Sequence, residues 1–197
     1  MPRARTRPPS RRGAAAAPRG PRFTMTMRFA DPGWKTRVPG LAVQVRRAVR
    51  LALAAELPGG TRTDLSLLFT CNAEMQRLNQ LWRGKRKPTN VLSFPAEAAL
   101  DPGAPPAYLG DIALGYEICA AEARAAGKPF ADHVTHLVVH GVLHLLGYDH
   151  ETEAQAGAME PRETELLAQL KIPDPYRIRR TGRGKPNSTA RVRQTAE

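Results

Sequence analysis

Residues 130–150 read FADHVTHLVVHGVLHLLGYDH, the most apolar stretch of the 197-residue chain. Its apolar residues recur at helical spacing from Phe130 to Leu146, and Gly147 is a natural helix-ending residue, since only glycine enters the left-handed region without penalty. On such a helix His140 and His144 lie one turn apart on one face and can chelate one ion. The turn at Gly147 then lets His150 swing back to the same point as a third ligand. Three imidazoles without a fourth protein ligand leave room for water, whose pKa a zinc ion lowers to roughly 7. Three imidazoles also accept nickel, copper or iron; one zinc ion is the first choice.

A single histidine on an apolar helix is usually a hydrogen-bonded core residue. Three at this spacing, among Val138, Val139, Val142, Leu143, Leu145 and Leu146, would cost a few kcal/mol if their nitrogens stayed unpaired, and metal ligation removes that cost. His136, one turn further back, is assigned to the core or to the support of a ligand, and His133 to the surface. The spacing H-x-x-x-H-x-x-G-x-x-H also occurs in metzincin proteases, where a glutamate general base follows the first histidine. Here Gly141 stands there, so a peptide bond finds no obvious proton shuttle. A mid-helix glycine costs about 1 kcal/mol relative to alanine, which suggests that something, taken here as substrate, approaches the backbone beside His140.

Outward from this segment, Val38, Leu41, Val45, Val49, Leu53 and Leu57 predict an amphipathic helix stopped by Pro58-Gly59-Gly60. Leu65–Thr70 predicts a strand, and Asn72 the N-cap of a helix bearing Met75, Leu78, Leu81 and Trp82. A basic loop at 84–88, a strand at Asn90–Phe94, a Pro/Ala-rich loop at 99–107, a strand at Gly110–Tyr116 and a helix from Glu117 to Ala126 follow, and Glu151–Leu170 predicts a last helix. The pattern is α+β: one domain, a small mixed sheet covered on one side by helices, with the three-histidine site at the end of a central helix.

The formal charge of +12 resides in the ends. Residues 1–30 hold eight arginines and no acid, residues 176–197 hold seven basic residues and one acid, and 31–175 hold 15 basic against 17 acidic. Residues 1–24 and 177–197, rich in Arg, Pro and Gly or polar residues without apolar periodicity, are predicted to be disordered basic appendages of a domain spanning 25–176. Such arginine-rich segments favour a nucleic-acid partner. Cys71 and Cys119 are too few for a disulfide framework or a thiolate zinc cluster, which suits a reducing cytoplasm. No apolar run approaches the ~20 residues that span a bilayer, so no membrane partner is expected.

At residues 140–150 the sequence resembles the YbeY endoribonucleases, or ribosomal RNA maturation factors, whose hallmark H-G-x-L-H-L-x-G-Y-D-H is matched at every defined position. The block from Leu78 to Pro95 is similar to the family's basic loop and following strand. Leu109-Gly110-Asp111-Ile112 resembles its next strand, and Met159 and Glu163 leading to Asp174-Pro175-Tyr176 its closing segment. Arg86 and Asn90 depart from it, standing where aspartates are most often expected, and bear on substrate contact more than on metal.

The resemblance implies a zinc-dependent, single-strand-specific endoribonuclease of ribosome maturation, acting at the 3′ end of small-subunit ribosomal RNA and in RNA quality control. Ribosomal RNA precursor and the small subunit are then its partners, and Arg83 its active-site arginine. A guanidinium offers a rigid donor fork to a phosphodiester. Lys85 and Lys87 would steer the RNA backbone, and Asp111 and Asp149 are candidates by type for general acid or base. The competing readings are a zinc peptidase and a non-catalytic ribosome assembly factor with a structural zinc.

Overall fold

The computed structural model describes residues 20–97 and 107–176. In chain order the elements are β1 (Arg22–Phe29), α1 (Gly33–Arg37), α2 (Leu41–Glu56), β2 (Arg62–Thr70), α3 (Asn72–Arg83), β3 (Val91–Pro95), β4 (Tyr108–Gly115), α4 (Tyr116–Ala125), α5 (Phe130–Leu145) and α6 (Glu153–Gln169). The four strands form one mixed sheet ordered β1-β2-β4-β3, with β1 and β4 parallel to β2 and the edge strand β3 antiparallel to β4.

The sheet is covered by helices on both faces, not one. Successive side chains on a strand point to opposite faces, and β2 divides accordingly: Leu65, Leu67 and Phe69 join the main core with α2, α5 and α6, while Leu68 packs with Met75 and Leu78 of α3. On β4, Ile112 and Leu114 face the main core and Ala113 faces α3. α5 is the central helix, with eleven of its sixteen residues buried, polar His133, Thr135 and His136 among them.

Two elements were not expected. β1 pairs in register with β2, 40 residues away, from Arg22↔Arg62 to Phe29↔Phe69. The appendage boundary at residue 24 therefore falls inside a strand, and ordered structure begins before it. As an edge strand β1 alternates Phe23, Met25, Met27 and Phe29 with Arg22, Thr24, Thr26 and Arg28, so only half of it is apolar. α1 buries Trp34 completely; its Nε1 donates to Thr70 O at 2.9 Å and its ring packs on Phe69, Tyr116 and Phe130. The remaining residues expected in appendages, 1–19 and 177–197, and most of the loop at 99–107 lie outside the described residues.

Gly141 has a structural reason that corrects the substrate reading. A Cβ there would lie 3.0 Å from Ser93 Oγ, 3.0 Å from Ile112 Cδ1 and 3.1 Å from Ile112 Cγ2. What approaches the helix is the sheet: α5 lies directly on β3 and β4, and a Cβ at 141 would require Ser93 and Ile112 to give way by a few tenths of an ångström.

Candidate metal centre

α5 ends in a Schellman motif that turns the chain back toward its own last two turns. The Tyr148 amide donates to Leu143 O at 3.0 Å and the Gly147 amide to His144 O at 3.0 Å, with Gly147 at φ 89°. Tyr148 anchors the returning segment by donating its hydroxyl to Glu56 Oε2 at 2.9 Å, and the Asp149 carboxylate accepts the His150 amide at 2.8 Å. The outcome is convergence: one ring nitrogen from each of His140, His144 and His150 lies within 4.8 Å of the other two. The ring centroids are 4.6, 5.1 and 5.0 Å apart.

Behind His140 stands a residue that the sequence reading placed only as part of a closing segment. Glu163 of α6 is fully buried; its carboxylate accepts from His140 Nδ1 at 2.5 Å, from His136 Nε2 at 3.2 Å and from the Tyr176 hydroxyl. Burial alone would raise its pKa, but the hydrogen bonds and charge of His136 and His140 outweigh this and hold it below the ordinary carboxylate range. Glu163 is therefore an anion. Its bond holds the His140 ring by Nδ1 and leaves Nε2 on the side of His144, the arrangement in which a carboxylate orients a metal-ligating histidine. His136 supports that carboxylate, in line with the supporting role expected of it, and burial lowers its pKa despite the acid beside it.

The donor set fits a metal ion. His140 Nε2 and His144 Nε2 are 3.1 Å apart, close to the ~3.3 Å that separates two nitrogens on a tetrahedral zinc ion. Burial, and then the neighbouring His140 and His150, lower the pKa of His144 to about 4. It is thus a neutral imidazole with a lone pair to give at physiological pH.

Other expected residues are distributed differently. Arg83 is the exposed last residue of α3 on the far face of the sheet, and Lys85 and Lys87 follow it in a loop. That loop is folded back on the helix: Asn79 Nδ2 donates to Lys87 O at 2.8 Å and Gln76 Nε2 to Arg86 O at 3.1 Å. Asp111 pairs with Phe94, which packs on the α3 face, and its carboxylate accepts from Tyr108 at 2.7 Å. It thus points away from the histidines. Asp149 is engaged by the His150 amide. Asn90 is structural, with its amide on both oxygens of Glu122 at 3.2 and 3.1 Å and its carbonyl-type oxygen on the Val91 amide at 2.7 Å. His133, expected at the surface, is only 3% exposed, with Nε2 2.8 Å from Glu122 Oε2.

A mixed sheet carrying a central helix that ends in three converging imidazoles, one of them held from behind by a buried carboxylate, has a site that could hold a metal ion, as a metal-dependent hydrolase requires. A family model described as Endoribonuclease YbeY matches residues 35–171. Among similar proteins, Endoribonuclease YbeY of Chelativorans sp. is 51% identical over 158 residues, covering 79% of this chain and 94% of its own. The Paramagnetospirillum magneticum protein of the same name is 50% identical over 150 residues, 74% of this chain and 90% of its own. The chain belongs to the YbeY endoribonuclease family. Among solved structures, the solution structure of TM1509 from Thermotoga maritima covers 75% of this chain and 92% of its own at 22% identity, with a TM-score of 0.47.

Proposed function

We propose that this protein is a zinc-dependent, single-strand-specific endoribonuclease that matures ribosomal RNA, trimming the 3′ end of the small-subunit RNA and serving RNA quality control in the cytoplasm. The carrying observation is the convergence of His140, His144 and His150 with Glu163 behind them, in a chain whose relatives bear the name endoribonuclease. His140, His144 and His150 would hold one zinc ion. Such an ion, when bound, would supply an acidified water and would polarise a phosphoryl oxygen.

The chain's own residues do the rest. Glu163 holds the His140 ring by Nδ1, so that Nε2 faces His144 and the other ligand positions. Tyr148 and the Asp149 carboxylate keep the His150 segment turned inward. Arg83 presents a donor fork to the phosphodiester, and Lys85 and Lys87 attract the RNA backbone. Since α3 and α5 lie on opposite faces with β3 at the edge between them, an RNA strand crossing that edge would meet both. A peptidase is disfavoured by Gly141, which leaves no carboxylate next to His140. The domain is taken to run from β1 to Tyr176, with the basic ends adding salt-dependent affinity for RNA. No helix among the described residues is long and apolar enough to cross a membrane.

Metal content and cleavage of single-stranded RNA, measured on one preparation of wild type, His144→Ala and chelator-treated protein, test this. Zinc near one per chain, with cleavage abolished by both treatments, is the expected result. Bound zinc with no cleavage by pure protein that nonetheless binds small subunits would favour the assembly-factor reading; hydrolysis of casein but not RNA would favour the peptidase.

A further inference from the structure

Trp82 is 65% exposed and its neighbour Leu81 64% exposed, at the C-terminal end of α3. The Trp82 indole rests on the ring of Phe94 at 5.5 Å between centroids, tilted 55°, so it is held in place while its outer face stays open to solvent. Phe94 belongs to β3, the edge strand. Ser93, the residue before it, points to the other face, where its Oγ meets the backbone of α5 at Gly141, next to His140. The aromatic pair and the turn of α5 that carries His140 thus lie on opposite faces of one edge strand.

The chain around this pair is basic, with Asp111 beside Phe94 on the neighbouring strand and Glu74 paired to Arg77 as the acids nearby. From Met75 to Ala96 there are five basic residues and no acid, and four of the five lie within Arg83–Lys87. The hydrogen bonds from Asn79 and Gln76 to the carbonyls of Lys87 and Arg86 hold that loop against α3 beside the indole. An exposed, braced aromatic face beside a basic loop is the chemistry that binds single-stranded nucleic acid: cations track the phosphates while unpaired bases stack on the ring. A duplex keeps its bases stacked inside and offers none to the indole.

We propose that Trp82, braced by Phe94, is a stacking platform for an unpaired nucleobase of the RNA strand, and that it supplies the preference for single strands over duplex. This deepens the proposed ribonuclease function and rests on it. The chain contains two tryptophans, and Trp34 is fully buried, so quenching of the exposed fluorescence on RNA binding reads Trp82 directly.

The test uses the full-length, metal-loaded protein with three probes of equal length: a single-stranded RNA, the same strand with abasic sites, and an RNA duplex. Both affinity and cleavage are measured. Wild type should bind the base-containing strand roughly tenfold more tightly than the abasic one, with quenching only by the former. Trp82→Ala should bind both equally with its metal content unchanged, and Trp82→Phe should restore most of the difference. The inference is overturned if wild type cleaves RNA while Trp82→Ala keeps the full base-dependent difference, or if the abasic strand binds wild type as well as the intact one. A wild type that neither binds nor cleaves single-stranded RNA would overturn the ribonuclease reading itself.

Discussion

The imidazoles at the end of α5 and the cations after α3 lie on opposite faces of one sheet, and the two groups are held in different ways. His140 is fixed by a fully buried carboxylate that is itself bonded to His136 and Tyr176. Arg83, by contrast, sits exposed at a helix end, and in the loop after it the carbonyls of Lys87 and Arg86 accept from Asn79 and Gln76. A metal centre needs donors fixed to within a fraction of an ångström, which burial and supporting hydrogen bonds provide. A site for a flexible polyanion needs charge that can follow its ligand. The difference predicts that mutations on the first face act through metal and those on the second through RNA.

The largest effect should come from His140→Ala, which removes a ligand and leaves Glu163 without one of its partners. Metal content should fall to background and cleavage with it, as elemental analysis and an RNA assay on one sample would show. Retention of a full metal equivalent would move the centre elsewhere. Arg83→Ala should then separate the faces: metal content unchanged, kcat/KM for RNA lower by roughly 10²–10³. Equal activity would remove Arg83 from the site. Glu163→Gln should do the opposite, weakening metal affinity roughly ten- to a hundredfold, with cleavage recovering at saturating metal. Unchanged affinity in a chelator competition would reduce Glu163 to a packing role.

How much of this could be read in the sequence follows from how local each feature is. The three histidines lie within eleven residues, where helix periodicity and one glycine turn decide the geometry, so their convergence was legible. Glu163 lies 23 residues from His140 and meets it only through the packing of α6 on α5. Its signal was a lone acid among Met159, Leu166 and Leu167, which share the buried side of α6. β1 was missed because its partner is 40 residues away and half of its side chains are polar. Gly141 was misread because neither Ser93 nor Ile112 is near it in sequence. His133 and Asn90 were misplaced for the same reason: each is bonded to Glu122 of α4, a contact no periodicity announces.

That junction joins the two faces and yields the smallest effect. Asn90 sits where the basic loop enters β3, and its backbone oxygen accepts from the Gly115 amide at 3.0 Å and from Cys119 Sγ at 3.6 Å. Cys119 is fully buried, and burial, followed by the charge of Glu122, raises its thiol well above the ordinary range. A pKa raised in the folded state contributes stability below the unfolded-chain value of about 8.5 that is lost as pH rises beyond it. The unfolding free energy from urea titrations should therefore fall from pH 8 toward pH 10, by no more than about 1.4 kcal/mol per pH unit from this one group, and Cys119→Ala should flatten that slope. In Cys71→Ser protein, where Cys119 is the only thiol left, native alkylation at pH 8 should be far slower than in urea, because reaction needs both a thiolate and access to it. Fast labelling of the native protein would mean that the α4–β3 junction opens readily, and the basic loop would then be anchored more loosely than its hydrogen bonds to α3 imply.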